Sequence, residues 1–212
     1  SNSNFIPVIA QIGVGQDVYS SSVFTVHIDA GCPDPHLATF DLALSSGDDP
    51  IATVSFPINI TAHPGIHDSM EAGVGAWTHS GTRDQWHQTA HRSTSPTHSW
   101  YCGTENTWQY THENDARLET PYFTVGTVTE MAFAHFYATE VDYDFCMVEI
   151  NNGSPFWNTL AIYNGSSGGF QDAFLSLAPY GGQTERARFR FTSDGSVAAE
   201  GWYVDDFWAG PM

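Results

Sequence analysis

The stretch Gly201-Trp202-Tyr203-Val204-Asp205-Asp206-Phe207-Trp208 places two adjacent carboxylates inside a run of aromatic and β-branched residues. Such a run is typical of a β-strand with buried side chains. A buried carboxylate needs a cation, a metal ion or several hydrogen-bond donors around it. The run therefore either ends a core strand at a cation site or turns its acidic side chains towards water.

The charge of the chain excludes several classes of partner. The 212 residues contain six arginines, no lysine and 24 acidic residues, for a formal net charge of -18. Nucleic acids and anionic membrane surfaces require clustered basic residues, so neither is an expected partner. The chain also lacks an apolar run long enough for membrane insertion. Divalent cations, glycans and other proteins remain as partners.

Short runs of alternating apolar and polar residues, separated by Gly, Pro, Asn and Ser, recur along the chain, and no helical periodicity is sustained. We therefore predict an all-β fold. Residues 1–62 predict a partial Ig-like β-sandwich, which is shorter than a complete domain of that kind. Residues 67–212 are long enough for a two-sheet jelly roll. The strands predicted in that second domain are residues 117–123, 130–138, 144–150, 156–162, 169–176, 185–192 and 201–207.

The clearest alternation is Arg186-Ala187-Arg188-Phe189-Arg190-Phe191, which puts three arginines on one face of a strand. That face has to meet part of the acidic excess of the chain.

The three cysteines lack the spacing of a metal site. Cys102 and Cys146 both lie in strand-like surroundings, so a Cys102–Cys146 disulfide is the best pairing if the protein is secreted. The alternative is a pair of buried free thiols. Cys32 is left without a partner in either case.

Catalytic motifs are missing from the sequence. There is no Gly-x-Ser-x-Gly elbow, and the three cysteines lack the surroundings of a catalytic thiol. His87 and His91 have zinc-ligand spacing, but this spacing suits zinc only on a helix, and no helix is predicted there. We therefore expect a protein that is not an enzyme.

Seven tryptophans are many for this length, and exposed aromatic rings suit the stacking of sugar rings. Trp77, Trp100 and Trp202 lie in strand-like motifs and are expected in the core. The predicted ligand-binding residues, which lie in polar, turn-like contexts, are Trp86, Trp108, Tyr110 and Trp157.

Several motifs of the second domain recur in a known family: residues 68–73, 75–77, 84–87, 95–101, 118–121, 142–144, 148–150, 163–169, 188–195 and 200–206. On these motifs the second domain resembles the MAM-like, concanavalin-type jelly-roll modules attached to immune inhibitor A-type and gingipain-type peptidases of bacteria. On residues 24–26 and 29–34, the first domain resembles the C-terminal half of an Ig-like domain that often precedes them.

The resemblance implies a non-catalytic, extracellular or cell-surface bacterial module. It would bind a glycan or a protein, or dock the parent catalytic domain, within a larger secreted hydrolase, in particular a peptidase. It also implies a structural calcium ion that links Glu71 to Asp205 or Asp206, with Asp84 as a further ligand. Strand alternation turns only one of the two aspartates inward, and the resemblance favours Asp205. In the alternative, Asp205 accepts backbone hydrogen bonds or pairs with an arginine and holds no metal.

A second functional hypothesis follows from the incomplete first domain. Its apolar stretch at residues 5–12 suits a strand that one subunit donates to the next. The protein would then be the structural subunit of an extracellular fibre or surface layer, which is a homo-polymer formed by strand exchange.

Overall fold

A computed structural model describes residue 32 and residues 36–46, 49–60, 65–126 and 130–210. The chain divides into two compact units, Ser1–Pro33 and Asp34–Met212. All the described residues except Cys32 belong to the second unit. The predicted domain boundary between residues 62 and 67 stays a prediction, and the donated strand proposed at residues 5–12 lies outside the described residues.

The described residues form β-strands and one turn of 3₁₀ helix, Ala178–Tyr180. None of them forms a helix long and apolar enough to cross a membrane. The strands are β1 (His36–Ser46), β2 (Asp49–Ile60), β3 (Ile66–Asp68), β4 (Thr78–Thr82), β5 (Trp86–Thr89), β6 (Ser99–Cys102), β7 (Asp115–Glu119), β8 (Phe123–Thr124), β9 (Glu130–Ala138), β10 (Phe145–Asn151), β11 (Asn158–Tyr163), β12 (Gln171–Ser176), β13 (Thr184–Thr192) and β14 (Gly201–Ala209).

Twelve of these strands build two six-stranded antiparallel sheets, which pack as a β-sandwich. The front sheet has the order β11-β10-β13-β7-β4, with β8 paired to β13. The back sheet has the order β12-β9-β14-β6-β5, with β3 paired to β14. The first and last strands of the sandwich are therefore neighbours, since Asp68 lies opposite Phe207. Strands β1 and β2 form a separate antiparallel hairpin.

Aromatic side chains from both sheets fill the space between them. Phe189 of β13 is fully buried and packs edge-to-face against Phe133 at 5.0 Å and Trp202 at 5.5 Å, both in the back sheet. Alternation along β13 explains this placement, because every second residue from Glu185 to Phe191 is buried. The predicted core positions Trp77, Trp100 and Trp202 are at most 6% exposed.

The outer faces of the two sheets differ. On the back sheet, Tyr101 and Tyr203 stack at 4.2 Å and are fully buried, although they point away from the main core. Trp108 and Phe170 pack against this second cluster, and the guanidinium of Arg92 lies 4.7 Å above its Phe136 ring. The outer face of the front sheet carries half-exposed arginines instead. The front sheet therefore offers the open face of the sandwich.

The hairpin exposes large apolar side chains, which suits part of a larger apolar interface. They are Leu42, Leu44, Ile51, Val54 and Ile58, exposed by 37%, 42%, 67%, 49% and 43%.

One acidic residue points into the core. Glu185 of β13 is 1% exposed, and its Oε1 has no hydrogen-bond partner among the described residues. Burial raises its pKa from 4.5 to about 7, because the charged form is poorly solvated there. The native state therefore holds this proton more tightly than the unfolded state, and the carboxylate destabilises the fold as the pH rises from 4.5 to 7.

We expect Glu185→Gln to stabilise the protein at pH 8 by up to about 3 kcal/mol and to have little effect at pH 4.5. Urea unfolding at the two pH values measures this, with the exposed Glu130→Gln as control. Each variant is compared with wild type at the same pH, because burial of His135 lowers its pKa from 6.5 to about 4. That histidine makes stability rise over roughly the same range in which Glu185 makes it fall. An equal effect of Glu185→Gln at both pH values would contradict the assignment.

Candidate functional site

The open face of the front sheet carries a network of ion pairs. Four of the six arginines of the chain lie here, on two neighbouring strands. We call this surface the arginine face and define it by Arg117, Arg186, Arg188, Arg190, Asp115, Glu119, Glu149 and Trp157.

The antiparallel register of β7 and β13 determines which side chains form these ion pairs. Arg190 of β13 donates two hydrogen bonds to Asp115 of β7, at 2.7 and 3.0 Å. Arg117 lies directly opposite Arg190 and donates to the same carboxylate at 2.9 Å. Two like charges in opposed positions repel each other, so Asp115 is needed to hold both. The guanidinium of Arg190 accordingly lowers the pKa of Asp115.

The other two arginines pair with glutamates. Arg186 donates to Glu119 at 2.7 Å, and Arg188 donates to Glu149 at 2.5 Å. The Arg188–Glu149 pair is the most buried of the network, with side chains 12% and 6% exposed. Arg186, Arg117 and Arg190 keep 30%, 34% and 29% exposure, so a ligand can reach them.

Trp157, which precedes β11, lies over this network. Its ring centroid is 4.1 Å from the guanidinium carbon of Arg188 and 5.0 Å from that of Arg186. The ring of Tyr122 is 5.3 Å from Arg186 on the same face. Cation–π contacts of this kind fix the position of a ring. The half-buried Trp157 is thereby held as a rigid aromatic surface beside two guanidinium groups.

The prediction of an exposed stacking residue is wrong at two of the four positions. Trp86 is 2% exposed and packs 5.6 Å from Trp202 in the core. Tyr110 is also 2% exposed, and its hydroxyl donates to Asp144 and accepts from the backbone N–H of Glu140. Neither ring is available to a ligand.

The remaining two stacking predictions concern half-buried side chains. Trp108 stacks on His91 at 3.6 Å and belongs to the cover of the back sheet. Trp157 lies on the arginine face, as described above. Their role in ligand binding stays a prediction.

The carboxylate of Asp205 accepts hydrogen bonds from a loop beside the back sheet, residues 92–98. Asp205 is fully buried, and its Oδ2 accepts from the backbone N–H groups of Thr94 at 2.7 Å and Ser95 at 3.2 Å. Its Oδ1 accepts from the N–H of Asp206 at 2.9 Å and from the Ser95 hydroxyl at 3.4 Å. Burial raises the pKa of this carboxyl group. We call residues 92–98 the anchoring loop.

Glu71 holds the other end of the anchoring loop. Its Oε1 accepts from the backbone N–H groups of Thr97 at 3.1 Å and His98 at 2.8 Å, and its Oε2 from the Thr97 hydroxyl. These donors lower the pKa of Glu71 from 4.5 to about 2. A carboxylate offers about four lone-pair positions, and protein donors take most or all of them on Glu71 and Asp205. This arrangement fits the hydrogen-bonded alternative and does not fit a calcium site.

Of the other two predicted metal ligands, Asp84 lies apart from this pair of carboxylates, and Asp206 lies in a bulge of β14. Asp84 accepts from Trp86 N–H and pairs with His79 at 2.6 Å. It precedes the position opposite Cys102, whereas Asp205 follows the position opposite Trp100, so the two lie towards opposite ends of β6. Asp206 lies in a bulge with φ +47° and is partly exposed.

A different acidic group gathers at the loops next to β10. Carboxylate oxygens of Glu140, Asp144 and Asp194 lie within 4.8 Å of one another. Asp144 is fully buried and accepts the Asp194 N–H at 2.8 Å. Burial and the neighbouring acids raise the pKa of Glu140. Glu140 and Asp144 share the loop between β9 and β10, whereas Asp194 follows β13, 50 positions after Asp144, so no local pattern brings the three together.

The predicted Cys102–Cys146 disulfide is absent from the structure. Both residues are fully buried free thiols in the core, and burial raises the pKa of each well above its ordinary value. The structure therefore agrees with the alternative, a pair of buried free thiols. Cys32 is also free.

Comparison with curated proteins points to peptidases. The chain is 29% identical over 154 residues to Bacillopeptidase F of Bacillus subtilis, an alignment that covers 70% of the chain and 11% of that protein. It is 34% identical over 92 residues to the pre-pro-metalloprotease PrtV of Vibrio cholerae, which covers 38% of the chain and 10% of PrtV. The matches thus span about a tenth of the length of these relatives. No family model matches the chain.

Comparison with solved structures supports the β-sandwich. The K1 cleaved adhesin domain of Lys-gingipain from Porphyromonas gingivalis superposes with a TM-score of 0.52 at 14% identity, over 70% of this chain and 99% of that domain. The K2 cleaved adhesin domain of Lys-gingipain gives 0.50 at 10% identity, over 68% and 98%. At these identities the likeness concerns the fold alone. The chain is thus an all-β sandwich with sequence similarity to parts of bacterial peptidases.

Proposed function

We propose that this chain is a non-catalytic, extracellular binding module of a larger secreted bacterial peptidase, and that it holds a glycan on its arginine face. The observation that carries the proposal is the position of Trp157. Its ring lies over Arg188 on the open face, beside half-exposed polar groups. Ligand sites of this kind combine an aromatic surface with a few fixed polar groups.

The similarity to Bacillopeptidase F and PrtV supports the link to a peptidase. The two solved structures that share the fold are adhesin domains of Lys-gingipain, and a role of this chain in attachment is part of the proposal. A face of strands suits attachment, because sites on strands hold their side chains more precisely than sites on loops.

A glycan microarray tests the proposal. We expect wild type to bind at least one class of glycan, and Trp157→Ala to lose about tenfold in affinity while it keeps its fold. Phe174→Ala is the control and is expected to keep the affinity, because Phe174 is an exposed aromatic side chain on β12 of the opposite sheet. A wild-type chain that binds no glycan would contradict the proposal, and hydrolysis of glycans or peptides by the purified chain would contradict its non-catalytic part.

The fibre subunit remains the second candidate function. It is favoured by the exposed apolar side chains of the β1–β2 hairpin, such as Ile51 and Val54. A fibre would require the purified chain to polymerise, which light scattering measures. A strictly monomeric chain would remove this candidate.

A further inference from the structure

We propose that the glycan held by the arginine face is acidic, with uronic-acid carboxylates repeated along its chain. This inference rests on the proposed function and adds the chemical class of the ligand.

The arginine face differs in charge from the rest of the molecule. The whole chain carries a formal charge of -18. On this face, four guanidinium groups meet three carboxylates, Asp115, Glu119 and Glu149. One positive charge is left in excess. The excess is greatest where Arg117 and Arg190 stand opposite each other and share the single carboxylate of Asp115.

Two of these guanidinium groups have donors that no acceptor uses. The Nε atoms of Arg117 and Arg186 are buried and have no hydrogen-bond partner in the described part of the chain. Arg117 uses one nitrogen on Asp115, and Arg186 uses one on Glu119. Each guanidinium carries five N–H donors in a planar fork, a geometry that matches a carboxylate. Each side chain is about a third exposed, so the N–H groups at the outer end of its guanidinium can reach a carboxylate of a ligand.

The two donor sites lie at opposite ends of a line along β13. Arg186 is beside Trp157, and Arg117 is opposite Arg190. Arg190 lies four positions after Arg186, which corresponds to about 13 Å in an antiparallel strand. A linear polymer with a carboxylate on each sugar can meet both sites at once, with one of its rings on Trp157. A neutral glycan would leave the excess charge unpaired.

Polygalacturonate and its fully methyl-esterified form are the matched probes, because esterification removes the charge and keeps the sugar chain. Affinity electrophoresis or calorimetry at about 0.15 M salt is suitable, since the Debye length of about 8 Å then screens repulsion from the acidic remainder of the protein. We expect the acidic polymer to bind at least tenfold more tightly than the ester. Equal affinity for the two forms, or preference for the ester, would overturn the inference.

Two variants test whether polygalacturonate binds on the arginine face. Arg186→Gln is expected to weaken polygalacturonate binding about tenfold. Arg92→Gln is the matched control, because Arg92 also pairs with a glutamate, Glu200, and also lies over an aromatic ring, but on the back sheet. It should leave the affinity unchanged. An equal loss in both variants would overturn the assignment to this face. If only neutral glycans bind on the microarray, the inference fails and the proposed function stands; if no glycan binds at all, both fail.

Discussion

Replacement of Asp205 by asparagine should lower the free energy of unfolding by about 3 kcal/mol. The fully buried carboxylate accepts four hydrogen bonds, three of them from backbone N–H groups. An asparagine fits the same space but turns an NH₂ group towards some of these donors. At least one buried N–H then loses its acceptor, and the anchoring loop loses its attachment to β14.

Asp206→Asn is the control for this prediction, because it makes the same change on the adjacent residue. Asp206 is partly exposed in the bulge, and asparagine tolerates its φ of +47°. We expect a loss of less than about 0.5 kcal/mol there. Urea unfolding measures both variants. Equal losses would contradict the role of Asp205 as the attachment of the loop.

Thermal unfolding of wild type with and without calcium tests the predicted metal site. If hydrogen bonds from the anchoring loop satisfy Asp205 and Glu71, wild type melts at the same temperature in EDTA and in excess Ca²⁺. If a calcium ion holds them instead, EDTA lowers the melting temperature of wild type towards that of Asp205→Asn. The contacts of Thr94 and Ser95 with Asp205 favour the first result.

Much of the sandwich follows from local patterns. The predicted strands at residues 130–138 and 185–192 agree with β9 and β13 to within a residue, because apolar and polar residues alternate there. Strands β4, β5 and β6 were not predicted as such. β4 is an edge strand with all five residues exposed, and β6 is buried on both faces. Neither has a period of two, so alternation does not mark their bounds, although the residues around Trp100 and Cys102 are strand-like.

Less of the candidate site follows from the sequence. Alternation correctly placed three arginines on one face, but their partners Asp115 and Glu119 belong to β7, about 70 residues away. Register between distant strands sets such contacts, and no local pattern encodes it. The error at Tyr110 has the same origin. Polar neighbours suggested an exposed ring, whereas its hydroxyl is satisfied within the fold by Asp144, 34 positions away.

Alanine at position 201 is expected to lower the free energy of unfolding by about 4 kcal/mol or more, which for a domain of ordinary stability is much of the total. Gly201 begins β14 with φ +107°, and a Cβ added there would lie 2.3 Å from the carbonyl oxygen of Cys102. That oxygen belongs to the backbone of β6, which pairs with β14 at the next position. A backbone atom inside a sheet cannot turn away as a side chain can, so the two central strands must separate.

Gly168→Ala separates the steric effect from the conformational one. Gly168 also has a positive φ, +71°, but a Cβ there meets nothing within 4 Å. Its replacement should cost only about 1 kcal/mol, the penalty of the left-handed backbone. Urea unfolding measures the difference, and the soluble fraction on expression serves if Gly201→Ala does not fold. Losses within about 1 kcal/mol of each other would show that β14 does not approach β6 as closely as described. A large difference would mean that glycine is required where the last strand enters between β6 and β9, before its aromatic residues and Asp205 can take their places.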